Sequence, residues 1–409
     1  MADVHSVEAR RFQEFLNSAE KEGARLFAKR LAANDTLATG SHQAGSYFPN
    51  SVAFSLFPSL RTASGGNPRV AFDVEVVSHE QASQVVNVIW YNQKTRNECH
   101  VTGWGGRNSP VLDSEATGSI CIFAFFGTDG GDVDHCRVWL CSSLEDEEEI
   151  ENRFDFVEPG VPLFLDFTSG PLIRREPTTL YAVAEEQLEL WTTLQESAGF
   201  PTGKELVDFV VQAFPEFADL PVDGRLLRRR EAEYSEFQRI EKTVVLPQVR
   251  EGFSDVDRFV DYANSVTNRR KSRAGKSLEL HMEVILYEKE ITGFAHDKVT
   301  EGNKRPDFIF PSLEAYMDLG FEARNLRMLA CKTTCKDRWR QIIDEASRIS
   351  QKHLLTLQRG VSENQHKQMK EAGVKLVAPK ELHRSFPKSV RPDIESIEGF
   401  ISELKGLSN

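Results

Sequence analysis

Two runs, Pro306-Asp-Phe-Ile-Phe310 and Leu326-Arg-Met-Leu-Ala-Cys-Lys332, decide how this 409-residue chain is read. Each is a short apolar run rich in strand-forming residues, so each predicts a short strand. Asp307 opens the first run and Lys332 ends the second. Ala330 and Lys332 stand two apart and share a face of their strand. Upstream, Lys276 to about Glu290 predicts a helix, with Leu278, Met282, Ile285 and Leu286 as its apolar stripe.

An acid and a lysine at such spacing suit phosphodiester hydrolysis. That reaction needs a hard cation held by one or two carboxylates, and an ammonium to stabilise charge on the phosphorane. The nuclease pattern written PD…(D/E)xK would place its second acid where Ala330 stands, so the missing carboxylate must come from elsewhere. Glu279, on the predicted helix, is the candidate. A Pro-Asp with a later lysine recurs by chance, and what adds weight is the tract before Glu279. From Tyr262 to Leu278 there are five basic residues and no acid, in a chain whose net charge is −12. Ser272-Arg-Ala-Gly275 within it predicts a turn-compatible helix start, where an arginine could offer its fork to guanine O6 and N7.

Further blocks carry a resemblance. They are Leu31–Thr36 with Gly40–Gly45; Tyr91-Asn92 with Lys94–Glu98 and Trp104-Gly105; Ala263–Val266 with Asn268–His281; Thr300–Lys304 with Pro306–Phe308; and Lys332–Gln341. On these the chain resembles the EcoRII-type restriction endonucleases over nearly its whole length. The resemblance implies a Mg²⁺-dependent type II enzyme cutting both strands of DNA at CCWGG, before the first C, leaving 5′-phosphates. Glu279, Asp307 and Lys332 are then the catalytic residues, with Asp307 and Glu279 on the metal. It also implies a homodimer, an N-terminal domain that binds a further CCWGG copy as effector and restrains cleavage, and pairing with a cytosine-C5 methyltransferase.

The implied fold class is an α/β restriction-endonuclease-like core, a mixed sheet flanked by helices, plus a mostly β N-terminal B3-like pseudobarrel. Three segments are expected: 1–172 for the effector-binding domain, 173–200 as a linker region, and 201–409 for the catalytic domain. The pattern before residue 172 agrees, opening with a helix (about His5 to Leu31). Short β-like runs follow at 70–77, 85–91, 120–126, 138–140 and 163–167, split by turn-rich spacers, and suggest a barrel or open pseudobarrel. Helices are expected at 180–197, 204–214, 227–241, 337–350 and 392–407, and strand-like runs at 353–357 and 374–377.

For target DNA the candidates are Arg270, Lys271, Ser272 and Arg273, with Arg230 and Tyr234 as a stacking pair for an extruded central base. For effector DNA they are His42, Tyr47, Lys94, Arg96, Asn97, Glu98 and Trp104. At Cys99-His100 the chain departs from the family pattern, which has a second lysine–arginine pair there. Fewer cations imply weaker effector binding with a flatter salt dependence.

The length accommodates two cores. The six cysteines form no CxxC pair and read as reduced cytosolic thiols. With no apolar run of about 18 residues and no secretory signal, the expected location is cytoplasmic, away from membranes. The negative net charge argues against general nucleic-acid affinity, so binding must be local. Two other readings remain, a DNA-binding regulator that does not cut and a modification-directed nuclease.

Overall fold

The computed structural model describes residues 2–40, 45–127, 130–166, 172–174 and 200–407. The expected helix at 180–197 and nearly all of the expected linker lie outside them. The chain divides into two compact units. One holds Met1–Arg175 with Gln358–Gln368 and Arg384–Pro392, the other Glu176–Leu357, Met369–His383 and Asp393–Asn409. That two short segments of the C-terminal third group with the first unit was not expected from the sequence.

The first unit is built on a nine-stranded sheet. Its strands are β1 (Arg25–Arg30), β2 (Ser46–Phe48), β3 (Arg69–Val76), β4 (Gln81–Tyr91), β5 (Glu98–Thr102), β6 (Ile120–Gly127), β7 (Val133–Leu140), β8 (Leu163–Asp166) and β9 (Leu172–Arg174). They run in the order β2-β5-β4-β3-β7-β6-β1-β8-β9, antiparallel except for the β3–β7 pair. The first helix, α1 (Ala2–Lys21), stops ten residues short of its expected end. Gly23 turns the chain at φ +69°, and β1 then pairs with β6 and β8. Both faces of β1 are covered: Phe27 packs in one core cluster, and Leu26 and Ala28 in the other, with Phe12, Phe15 and Trp139. A strand buried on both sides reads as an unbroken apolar run, which periodicity cannot separate from a helix.

The acidic run Glu145–Glu149 lies in α2 (Leu144–Arg153), capped by the Ser143 hydroxyl, which accepts from Asp146 N–H. It is no simple solvated run, because Glu147 is buried and holds Arg30 at 2.6 Å, with Glu151 at 2.7 Å.

The second unit is a mixed α/β layer. Strands β10 (Ala295–His296), β11 (Phe308–Phe310), β12 (Arg327–Cys331), β13 (Lys352–Leu355) and β14 (Val374–Val377) lie in chain order. The pairs β10–β11 and β11–β12 are antiparallel, β12–β13 and β13–β14 parallel. Helices α3 (Gly203–Ala213), α4 (Val222–Glu251), α5 (Val256–Glu288) and α6 (Ile397–Leu407) accompany it. Phe308, Phe310, Leu329, Cys331 and Leu355 alternate onto one face and meet Leu226 of α4, Leu278, Met282 and Ile285 of α5, and Phe400 and Ile401 of α6. The α3 start carries a capping box, in which Thr202 and Glu205 bond reciprocally.

Two expectations are corrected here. The helix bearing Glu279 begins at Val256, capped by Asp255, so Ser272–Gly275 lies inside it and is not a turn at its start. Likewise, 337–350 is not an α-helix but a 3₁₀ turn (Arg338–Ile342) followed by irregular chain. Its apolar residues are still buried, Trp339, Ile342, Ala346 and Ile349 among them. Ala346 adopts φ +49°, Ser347 N–H donates to Glu301, and the Lys352 ammonium donates to the carbonyls of Ala346 and Ile349. These tertiary bonds take backbone groups that a helix would need.

Candidate active site

Asp307 sits at the foot of β11 and Lys332 just past the end of β12, and the antiparallel pairing of Phe308 with Leu329 brings them to the same end of these two strands. The Asp307 carboxylate accepts the Cys331 N–H at 2.7 Å, and the Lys332 ammonium at 3.2 Å, on one oxygen, Oδ2. Both side chains are mostly buried. Burial raises the Asp307 carboxyl, Lys332 opposes that, and the charge of Glu279 adds to the rise. For Lys332 burial pulls the ammonium down, but the charge and hydrogen bond of Asp307 outweigh it, so the lysine stays protonated.

Glu279 comes from α5, whose apolar stripe seats that helix on the sheet. His296 of β10 lies between it and Glu283, its nitrogens 3.6 Å and 3.3 Å from the two carboxylates. The His296 ring stacks on Phe308, next to Asp307, at 4.6 Å. Glu279 raises the His296 pKa, against burial, and Glu283 adds to the rise.

The sequence reading missed Glu345. Burial pushes its carboxyl up to about 7, with Lys332 pulling it down and Asp307 pushing it further, which shows that it shares their field. It lies inside the stretch read as a helix, where an acid counts as part of the polar face. Thirteen positions separate it from Lys332, and only the irregular chain around Ala346 returns it to the site.

The donors around Asp307 are carboxylate oxygens. Cys331 is beside them, but burial holds its thiol far above the usual range, so it supplies no thiolate for a soft metal. The charge of Glu279 acts on Asp307 and that of Asp307 on Glu345, and carboxylate oxygens are the donors that a hard divalent cation takes. A second cluster, His353 with Glu395 and Glu403, is already balanced by Lys375, 3.0 Å from Glu395, and by Arg327 on Glu403.

The target-reading candidates lie on α4 and α5. Arg270 is held by Glu241 at 2.7 and 2.8 Å, while Lys271 and Ser272 are exposed. Arg230, Tyr234 and Arg273 are buried, around Glu233. In the first unit, Tyr47, Lys94, Arg96, Asn97 and Glu98 gather where β2, β5 and β4 adjoin. Tyr47 pairs with His100, and Tyr91 with Glu98. Asn97 Oδ1 accepts from Asn50 and from the Trp90 indole, both at 2.9 Å. Trp104 is not on that surface. It is 1 % exposed in the core, its indole donating to Val101 O at 2.9 Å. His42 lies outside the described residues.

Family models for the EcoRII C-terminal region and the N-terminal region of restriction endonuclease EcoRII match residues 237–401 and 20–167. The chain is 41 % identical over 410 residues to the type II restriction enzyme EcoRII of Escherichia coli, covering 97 % of this chain and 98 % of that protein. It belongs to the EcoRII family. As a member it is a type II restriction enzyme, a site-specific deoxyribonuclease that binds and cleaves DNA. It is also 29 % identical over 157 residues to the type II restriction enzyme SsoII of Shigella sonnei, 36 % of this chain and 50 % of that one. A solved structure of metal-depleted Ecl18kI with uncleaved, modified DNA aligns with a TM-score of 0.43 and 20 % identity, over 56 % of this chain and 85 % of that one. Among the described residues of this EcoRII-family chain, no helix is long and apolar enough to cross a membrane.

Proposed function

We propose that this EcoRII-family enzyme cuts both strands at CCWGG before the first C, using Mg²⁺ and leaving 5′-phosphates. The observation that supports the chemistry is that the Asp307 carboxylate accepts from both the Cys331 N–H and the Lys332 ammonium, within the field of Glu279. Asp307 and Glu279 would hold the ion, with Glu345 beside them. When bound, magnesium supplies Lewis-acid polarisation and a more acidic water. The chain's own residues do the rest. The Cys331 N–H fixes which way Asp307 points. The Lys332 ammonium, kept charged, donates to a phosphoryl oxygen and stabilises the charge that develops on it. His296 bridges Glu279 and Glu283 and so fixes where the Glu279 carboxylate stands.

Arg270, Lys271, Ser272 and Arg273 read the target, and Arg230 with Tyr234 take the extruded central base. The first unit, with a B3-like pseudobarrel, binds a further copy of the site through His42, Tyr47, Lys94, Arg96, Asn97 and Glu98, and restrains cutting until it does so. The burial of Trp104 removes that residue from the contact set. Cys99 is likewise buried, leaving His100 as the side chain on that edge where the family has cations. The working enzyme is a homodimer, and a cytosine-C5 methyltransferase protects the host's own sites.

Plasmids with zero, one or three CCWGG sites test this, with Asp307→Ala as control. Sequenced ends before the first C, absent from the mutant and formed faster on three sites, are the expected result. Equal rates on one and three sites would remove the effector, and binding without cutting would remove the nuclease.

A further inference from the structure

Tyr234 of α4 and Arg273 of α5 meet where those two helices pack. The guanidinium carbon of Arg273 lies 4.2 Å from the centre of the Tyr234 ring and 5.8 Å from that of Phe237. Tyr234 is 8 % exposed and Arg273 6 %. A guanidinium is flat and delocalised, and it stacks on an aromatic face as a base does. The ring face needed by an extruded base is therefore covered by a side chain of the same protein.

That cover is tethered. Glu233 is fully buried, with one carboxylate oxygen 3.3 Å from Arg273 Nε and the other accepting the Ser277 hydroxyl at 2.5 Å. Ser277 Oγ in turn accepts from Arg230 Nε at 3.2 Å. One carboxylate thus holds both arginines, the one on the Tyr234 face directly and the one beside it through a hydroxyl.

We propose that Arg273 is a removable cover on the base pocket, which exchanges Tyr234 for a guanine of the target so that base extrusion follows recognition. The idea rests on the reading of Arg230 and Tyr234 as that pocket. To leave Tyr234, Arg273 gives up a stacked ring and a buried ion pair. Guanine O6 and N7 in the major groove offer a bidentate replacement, and a wrong base pair does not. On a wrong sequence the cover stays in place and the extruded base has no ring to stack on. The shift between covered and open states extends only as far as this difference in affinity. Arg273 then discriminates twice, by its own contact and by what it uncovers.

The test uses the full chain, without divalent ions, on duplexes carrying 2-aminopurine at the central position. Fluorescence per bound complex is compared between the CCWGG duplex and one with a guanine-bearing pair replaced. Wild type should brighten the first only. Arg273→Lys keeps a cation beside Glu233 but has no flat face, and it should brighten both, lowering the ratio about ten-fold. Glu233→Gln should fall between, and carries the comparison if Arg273→Lys does not fold. A wild-type ratio in both variants, or loss of all binding in both, overturns the cover. Tyr234→Ala tests the pocket itself: if it keeps the full signal, the pocket reading fails whatever the arginine does. If it loses the signal while both cover variants keep the wild-type ratio, only the cover fails.

Discussion

Asp307 has neighbours that the sequence places in order but not in space. Lys332 and Glu279 were proposed beside it because the reaction asks for those residue types and Ala330 stands where the usual second acid would, and Lys332 does meet Asp307, at 3.2 Å. Glu345 and His296 were not legible, since nothing in their local pattern distinguishes them from surface polar residues. Replacing Lys332 with Ala is expected to slow cleavage by about 10²–10³-fold, as loss of one transition-state donor does, while metal-free DNA binding holds. Glu345→Gln should raise the magnesium concentration needed for half-maximal cleavage without changing metal-free binding, and an unchanged metal titration would remove Glu345 from the site. Glu233 gives a stability prediction. Its carboxyl is buried, which alone would raise it, but Arg273 and His281 draw it down to about 2 from an ordinary 4.5. A depressed folded pKa contributes stability above the unfolded value and loses it as pH falls toward the folded one. Wild type should therefore lose stability from about pH 4.5 down to about pH 2, and Glu233→Gln should show a shallower decline in urea midpoints over that window.

Among the elements, α5 departs most from its sequence reading. Gly275, small and flanked by cations, looked like a helix start, and it proves to be a mid-helix residue with no atom within 4 Å of where a Cβ would stand. Gly275→Ala should raise stability by about 1 kcal/mol, read as a higher thermal midpoint. A simultaneous fall in DNA affinity would mean that DNA approaches the backbone there. The core strands β11, β12, β13 and β14 were legible because they are short apolar runs between polar breaks. The 337–350 segment misled because burial alone mimics an amphipathic helix, whereas Glu301 and Lys352, distant in sequence, take its backbone groups. From Lys242 to Ser272 the ends of α4 and α5 carry no buried residue, and Val249, Val256 and Phe259 are more than half exposed. Helical periodicity marks a packed face, and this stretch has none.

For the molecule as a whole, two units were foreseeable from length and from the change in pattern, but not that Gln358–Gln368 and Arg384–Pro392 would group with the first. No alternation of strand or helix signals where a returning segment will pack. The charge is unevenly spread: −12 in total, yet five cations and no acid between Tyr262 and Leu278. Binding should then be steeply salt-dependent despite the acidic surface. With Lys271 reading a base as proposed, Lys271→Ala should change the sequence preference at one base pair. A fall of about 1 in the slope of log affinity against log salt with the preference unchanged would instead make it a phosphate contact.

Arg270 to Arg273 and Glu279 belong to one unbroken helix. Glu279 lies six positions beyond Arg273, about 9 Å of rigid rod. If the arginines read bases and Glu279 serves the cut as proposed, any change in how the helix seats on a base pair is carried along it to that carboxylate. An enzyme built this way is hard to retarget by substitution, since a variant that meets a new sequence at one end displaces the acid at the other. Lineages of such proteins should diverge in their outer surfaces and accessory parts long before they diverge in the sequence they cut.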